Sequence, residues 1–180
     1  MEEHVIPGGA KLPIGDNIYT TIKSASPEGY GLILPSPNSP LFREYYKKAT
    51  DYAGLSTGLD RVAQLSKFVH DSIMYDENFG KGMKDVPLYK ALREGRGVCK
   101  EKATVLYMIL TMEGFDAEYV KGTLTDKNGT GGHAWVKVRI GNDVYLVDPT
   151  NEKLFEYKLA QEKGYEETSV IFTLRRIKRV

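Results

Sequence analysis

From Pro40 onward the hydrophobic repeat changes period once, at Gly114, and that change limits the possible architectures more than any other feature. Before it, apolar residues recur at helical spacing. Pro40 suits a first helical position with Ser39 as N-cap, and "LFREYYKKATDYA" should stop at Gly54. A second helix starts near Thr57, with Leu59, Val62, Val69 and Ile73 on one face and Leu65 and Phe68 beside it. "VPLYKALREG" is a short helix opened by Pro87 and closed by Gly95, and another runs from Val98 to about Met112. After Gly114 the period is two. "FDAEYVKGTL", "HAWVKVRI" and "VYLVD" read as strands joined by the turns "TDKNGTGG" and "GND", an antiparallel meander. "TSVIFTLRRI" is a further strand. Helices first and strands after predict an α+β fold, with helices packed on an antiparallel sheet.

Upstream, "NIYTTIKS" and "YGLIL" read as short strands, and the prolines of "LPSPNSP" separate this accessory segment from the main body. No period of 20–50 residues repeats. At 180 residues the chain suits one domain with a real core. A net charge of +1 gives no bulk pull toward nucleic acid or a membrane surface. The basic end, with Arg175, Arg176, Lys178 and Arg179, reads as the solvated face of the final strand. "MEEHVIPGGAKLPIG" lacks the basic and apolar regions of a signal peptide, and no run reaches the ~18 apolar residues of a membrane span. A cytoplasmic setting is expected.

The single cysteine, Cys99, excludes an intramolecular disulfide and a cysteine-only zinc site; no metal or cofactor is expected. It stands where "GRGV" gives way to a helix. A thiol there meets unpaired backbone N–H groups and the positive helix end, which favour thiolate. The same N–H groups can stabilise negative charge on an attacked carbonyl oxygen, and Gly95 and Gly97 would let a substrate backbone approach. Taken alone, the segment also fits a small buried apolar cysteine.

A thiolate nucleophile needs a proton carrier, usually histidine. His4 falls in an N-terminal coil and His70 inside the second helix. His133 follows "GTGG" and opens the strand "HAWVKVRI", beside a flexible turn. Asp148 ends the strand "VYLVD" before Pro149. If Ile140 and Val144 flank the turn, His133 and Asp148 meet at the far end of one hairpin, on strands about 4.8 Å apart. A structural histidine and a turn aspartate are the alternatives for each residue alone. Alternation places His133 on the face of Trp135, Lys137 and Arg139, whereas Ala134, Val136, Val138 and Ile140 form the cleaner apolar face. The cysteine helix is expected on the face that carries His133, with twist or a bulge reconciling the two.

"GRGVCKEKA", "GGHAWVKV" and "YLVDPTN", in this order, resemble the Cys, His and Asp blocks of the transglutaminase-like superfamily. The resemblance spans roughly Leu59 to Asn151. It implies a papain-like core across 57–151, flanked by an accessory segment 1–56 and a C-terminal strand region 152–180. It implies Cys99 as nucleophile, His133 as general acid–base and Asp148 as orienter, with Trp135 packed near the site and Tyr75 as a candidate second oxyanion donor. The implied activity is acyl transfer from an amide through a thioester, with water as the expected acceptor and a peptide, protein or other amide-containing molecule as substrate, which makes the chain a protease, isopeptidase or amidase. An amine acceptor, a silent binding module of the same fold and, ranked lower, an arylamine acetyltransferase are the alternatives.

Overall fold

The computed structural model describes residues 1–26 and 28–178, so Arg179 of the basic end lies outside it. In chain order the elements are β1 (Glu2–Pro7), β2 (Ile18–Ile22), β3 (Gly31–Ile33), α1 (Pro40–Ala53), α2 (Gly58–Ser72), β4 (Met74–Tyr75), β5 (Asp85–Pro87), α3 (Leu88–Glu94), β6 (Arg96–Gly97), α4 (Cys99–Met112), β7 (Asp116–Asp126), β8 (Gly129–Ile140), β9 (Asp143–Asp148), β10 (Lys153–Glu156), a short 3-10 turn (Tyr157–Leu159), β11 (Tyr165–Glu167) and β12 (Ser169–Arg176).

The expected α+β architecture is present. Each helix forms where the sequence punctuates it. Pro40 opens α1 from an extended Ser39, although the Ser39 hydroxyl makes no cap bond and proline's fixed φ sets the first turn. Phe42, Tyr45, Ala49 and Ala53 form the buried stripe of α1. Gly54, at φ 59°, closes it by donating its N–H to Thr50 O. α4 differs: every residue from Glu101 to Leu110 is buried, because the helix lies between the other helices and the meander.

The meander β7–β8–β9 forms as expected, and β10 and β11 extend it to the order β10-β9-β8-β7-β11. A second sheet, β1-β12-β2-β3-β5, was not anticipated. It takes up the expected strands β2 and β3, and it seats β12, the expected final strand, between β1 and β2. His4 corrects the coil expectation: it lies in β1 opposite Phe172 and stacks on that ring at 4.9 Å. Arg175 and Arg176 are exposed on β12, as a solvated strand end requires. A bridge between Ala10 and Tyr119 ties the N-terminal segment to β7, and Leu12, Ile22 and Leu32 share one core with α4. No helix among the described residues is long and apolar enough to cross a membrane.

Candidate active site

Cys99 is the first residue of α4, and the residues around it are arranged to start a helix there. Gly95 ends α3 in the left-handed region, φ 68°, with its N–H on Ala91 O. β6 then pairs in parallel with β4, Tyr75 opposite Gly97, and delivers the chain extended into Val98. A Cβ on Gly97 would come within 2.9 Å of the Glu101 side chain. The two glycines therefore close one helix and admit Glu101, rather than clearing space for a substrate. Glu101 is fully buried and accepts the Val98 N–H at 2.9 Å and the Tyr30 hydroxyl at 2.5 Å. The first bond satisfies one of the donors that a helix start leaves open. Burial pushes the Glu101 carboxyl up against the pull of these bonds. Beside it, burial pushes Lys100 down to about 8 while its ammonium donates to Tyr30 O at 2.5 Å.

His133 and Asp148 are brought together. His133 Nε2–H donates to Asp148 Oδ2 at 2.7 Å, and both residues are buried. Asp148 is saturated with donors. Oδ2 also accepts Tyr165 Oη–H at 2.7 Å and Asn151 Nδ2–H at 3.0 Å, and Oδ1 accepts the backbone N–H groups of Thr150 and Asn151 at 2.9 and 3.2 Å. Burial alone would raise this carboxyl, but the His133 bond and charge and the other donors hold it below the usual range. For His133 burial works downward and is overcome by hydrogen bonds to Asp148 and Cys99 and by their charge, which raise the imidazole to about 10. With Nε2 engaged by the carboxylate, Nδ1 is the nitrogen left for the Cys99 sulfur.

The expected side for the cysteine helix is corrected. α4 packs with Ala134, Val136 and Val138, on the face opposite His133. His133 shares the face of Trp135, Leu146 and Tyr165; its ring centroid lies 6.0 Å from Trp135 and 6.0 Å from Tyr165. The two sides meet because β9 stops pairing with β8 at Val136, so among the described residues the His133 end of β8 has no strand neighbour on that side. Imidazole and thiol come together at an open sheet edge, with no bulge needed.

Trp135 lies near the site, as expected, and donates its indole N–H to Tyr157 Oη at 3.1 Å. Tyr75 lines the groove that contains Cys99 and His133, and burial together with the Cys99 charge raises its hydroxyl. His70 sits on the same rim and faces Pro149 O through Nδ1 at 2.8 Å. Its ring, Asp71 and Glu152 offer ligand atoms within 4.8 Å of one another, but Lys67 Nζ already neutralises the pair at 3.1 and 3.8 Å. Sequence reasoning missed the roles of Asn151, Tyr165, Glu101 and Tyr30. "DPTN" carried a signal for the first, since an Asp before such a turn accepts backbone N–H groups two and three residues on. Tyr30 lies 71 residues from Glu101 and carried none, and nothing local to Tyr165 pointed it at Asp148.

The family model of the transglutaminase-like superfamily matches residues 46–149, more than half of the chain. The chain belongs to the transglutaminase-like superfamily. The matched span runs from α1 to the end of β9 and so holds Cys99, His133 and Asp148. Among solved structures, this transglutaminase-like chain resembles a Cytophaga hutchinsonii protein provisionally assigned as a cysteine protease, with a TM-score of 0.54 at 13% identity over 77% of this chain and 52% of that one. It also resembles a Bacillus cereus arylamine N-acetyltransferase with a Cys-His-Glu catalytic triad, with a TM-score of 0.52 at 15% identity over 75% of this chain and 71% of that one. A TGase is matched with a TM-score of 0.49 at 18% identity, over 61% of this chain and 30% of that one. The chain thus spans about half of the Cytophaga protein's length and less than a third of the TGase's. No curated protein matches it.

Proposed function

We propose that this chain is a cysteine enzyme that cleaves an amide through a thioester on Cys99. The observation that carries the reading is a buried Asp148 holding Nε2 of a buried His133 at 2.7 Å, on the same groove as a thiol at a helix start. The imidazole, raised to about 10, is held as imidazolium beside the sulfur, which attacks as the thiolate. The Cys99 sulfur attacks the carbonyl carbon, and the backbone N–H groups at the start of α4 face the oxygen that gains charge. Tyr75, on the same groove, is the proposed second donor. Collapse breaks the C–N bond, and the His133 proton passes to the departing amine. Water then attacks the thioester, giving a proton to His133, and the carboxylic acid and the thiolate are released.

Water is the proposed acceptor because the groove is open and its rim at Gly129–Gly132 is exposed. An amine wins against water only where a site binds it or excludes its competitor. The test follows product masses from activated acyl donors, with and without millimolar lysine analogues. Hydrolysis in both arms is expected, and amine adducts as the main product would reassign the chain as a ligase.

A further inference from the structure

The segment of β8 just before His133 is a bare strand edge. β8 begins after the two-residue turn at Lys127 and Asn128, with Asp126 opposite Gly129. Such a turn closes on a hydrogen-bonded pair, and bonded pairs then alternate. Gly129, Gly131 and His133 therefore face β7, while Thr130 and Gly132 turn their N–H and C=O groups the other way. The count from the far hairpin agrees: Ile140 opposite Asp143 closes the turn with β9, so Val138 and Val136 face β9 and Gly132 shares their side. β9 stops at Val147 opposite Val136. Among the described residues, no strand covers the outward groups of Thr130 and Gly132.

The glycines here have no internal cause. At Gly131 and Gly132 a Cβ would meet nothing within 4 Å, and neither has a positive φ. Gly122, directly opposite His133 on β7, is the contrast: its Cβ would lie 2.0 Å from Glu166 O and 2.6 Å from the Trp135 ring. Glycine weakens a strand, and packing explains it at 122 but not at 131 and 132. What remains is close approach by another backbone. The edge opens into the groove, about 790 Å³, that holds Cys99 and His133. Two exposed apolar side chains, Met74 and Tyr75, stand on the same groove and offer contact to passing side chains.

We propose that the free edge of β8 binds an extended polypeptide as an added strand, through the main-chain groups of Thr130 and Gly132, and so feeds unfolded peptide segments to Cys99. This rests on the cysteine-enzyme reading above and deepens it. Recognition is by backbone, so the substrate is a flexible peptide rather than a small arylamide, and sequence preference is weak.

The probes are acetyl-oligoalanyl chloromethyl ketones of one to four residues, with chloroacetamide as the non-peptide control. Cys99 labelling is read by intact mass. Labelling by the ketones should rise at least tenfold from one residue to four. N-methylation should abolish the gain at every second residue and leave it at those between, the signature of a strand ladder. Gly132→Pro, which removes a donor that the fold does not use, should flatten the length dependence, with near-ultraviolet circular dichroism reporting the fold. Labelling without dependence on length or alternation overturns the added-strand inference and leaves the cysteine reading standing. A Cys99 that reacts with the control no faster than glutathione does brings down both. Ketone labelling that slows as the protein is concentrated shows the edge occupied by a second copy and overturns the inference as well.

Discussion

Asp148→Asn tests the charge relation at the centre of the site. The carboxylate makes a 2.7 Å charge-assisted bond to His133 Nε2; that bond is the largest of the contributions that lift the imidazole from 6.5 to about 10 against burial, and the carboxylate's charge adds to it alongside Cys99. A hydrogen bond to a charged group is worth about 1.5–3 kcal/mol, or about one to two pH units at 1.36 kcal/mol each. The substituted amide would still offer one oxygen. Its N–H₂ group would face either the two backbone donors or the three donors now gathered on Oδ2. Both bonding and charge are therefore lost, and His133 should titrate about one to two units lower. The assay compares alkylation of Cys99 by chloroacetate and by chloroacetamide across pH 6–11. The anionic reagent gains from a cation beside the sulfur and the neutral one does not, so the rate ratio follows the imidazolium. In wild type the ratio should fall near pH 10, and in Asp148→Asn one to two units earlier. Lys100, at about 8, adds a separate step that Lys100→Met removes. A ratio that falls at the same pH in both proteins, with native circular dichroism, refutes the role given to Asp148.

Cys99→Ala should abolish covalent labelling and product formation while leaving the melting temperature within a few degrees, since the thiol is only partly buried; intact mass and calorimetry check this. Glu101→Gln should flatten the pH dependence of stability. A raised native carboxyl binds a proton that the unfolded chain has released, so stability falls as pH rises from the ordinary glutamate value through the raised one. Urea unfolding at pH 4 to 8 should show that slope in wild type and lose it in the variant. Gly122→Ala should cost more than about 1 kcal/mol, because its methyl meets the Glu166 carbonyl and the Trp135 ring; urea midpoints measure it, and an unchanged midpoint would mean β11 shifts freely.

What the sequence made legible follows from distance along the chain. α4, the meander and the hairpin that joins His133 to Asp148 depend on local periodicity and were readable, although the strands extend into the expected turn "TDKNGTGG" and leave only Lys127 and Asn128 between them. The site residues lay within those elements. The second sheet was not readable, because Glu2 pairs with Leu174 and nothing local in either strand names its partner. Tyr30 reaches Glu101 from such a distant segment and was missed for the same reason; Tyr165 stands 17 residues from Asp148, but on β11, whose pairing with β7 no local turn announces. The side of the sheet taken by α4 was misjudged for a different one. Alternation assigns faces correctly, but it does not reveal that a strand edge has been left open for a ring to reach past it.

The position of β12 between β1 and β2 has a kinetic consequence. The helices and the meander can assemble from contacts close along the chain, whereas the other sheet lacks an interior strand until its final segment arrives. Long-range pairing of this kind is slow. Refolding should therefore proceed in two stages, with the half that contains Cys99 and His133 structured first. Until β12 inserts, β1 has no partner strand and β2, paired with β3 on one side, has an open edge on the other, and any cut or truncation upstream of Ser169 leaves both as adhesive edges. The last strand acts as the keystone of the sheet that carries neither Cys99 nor His133.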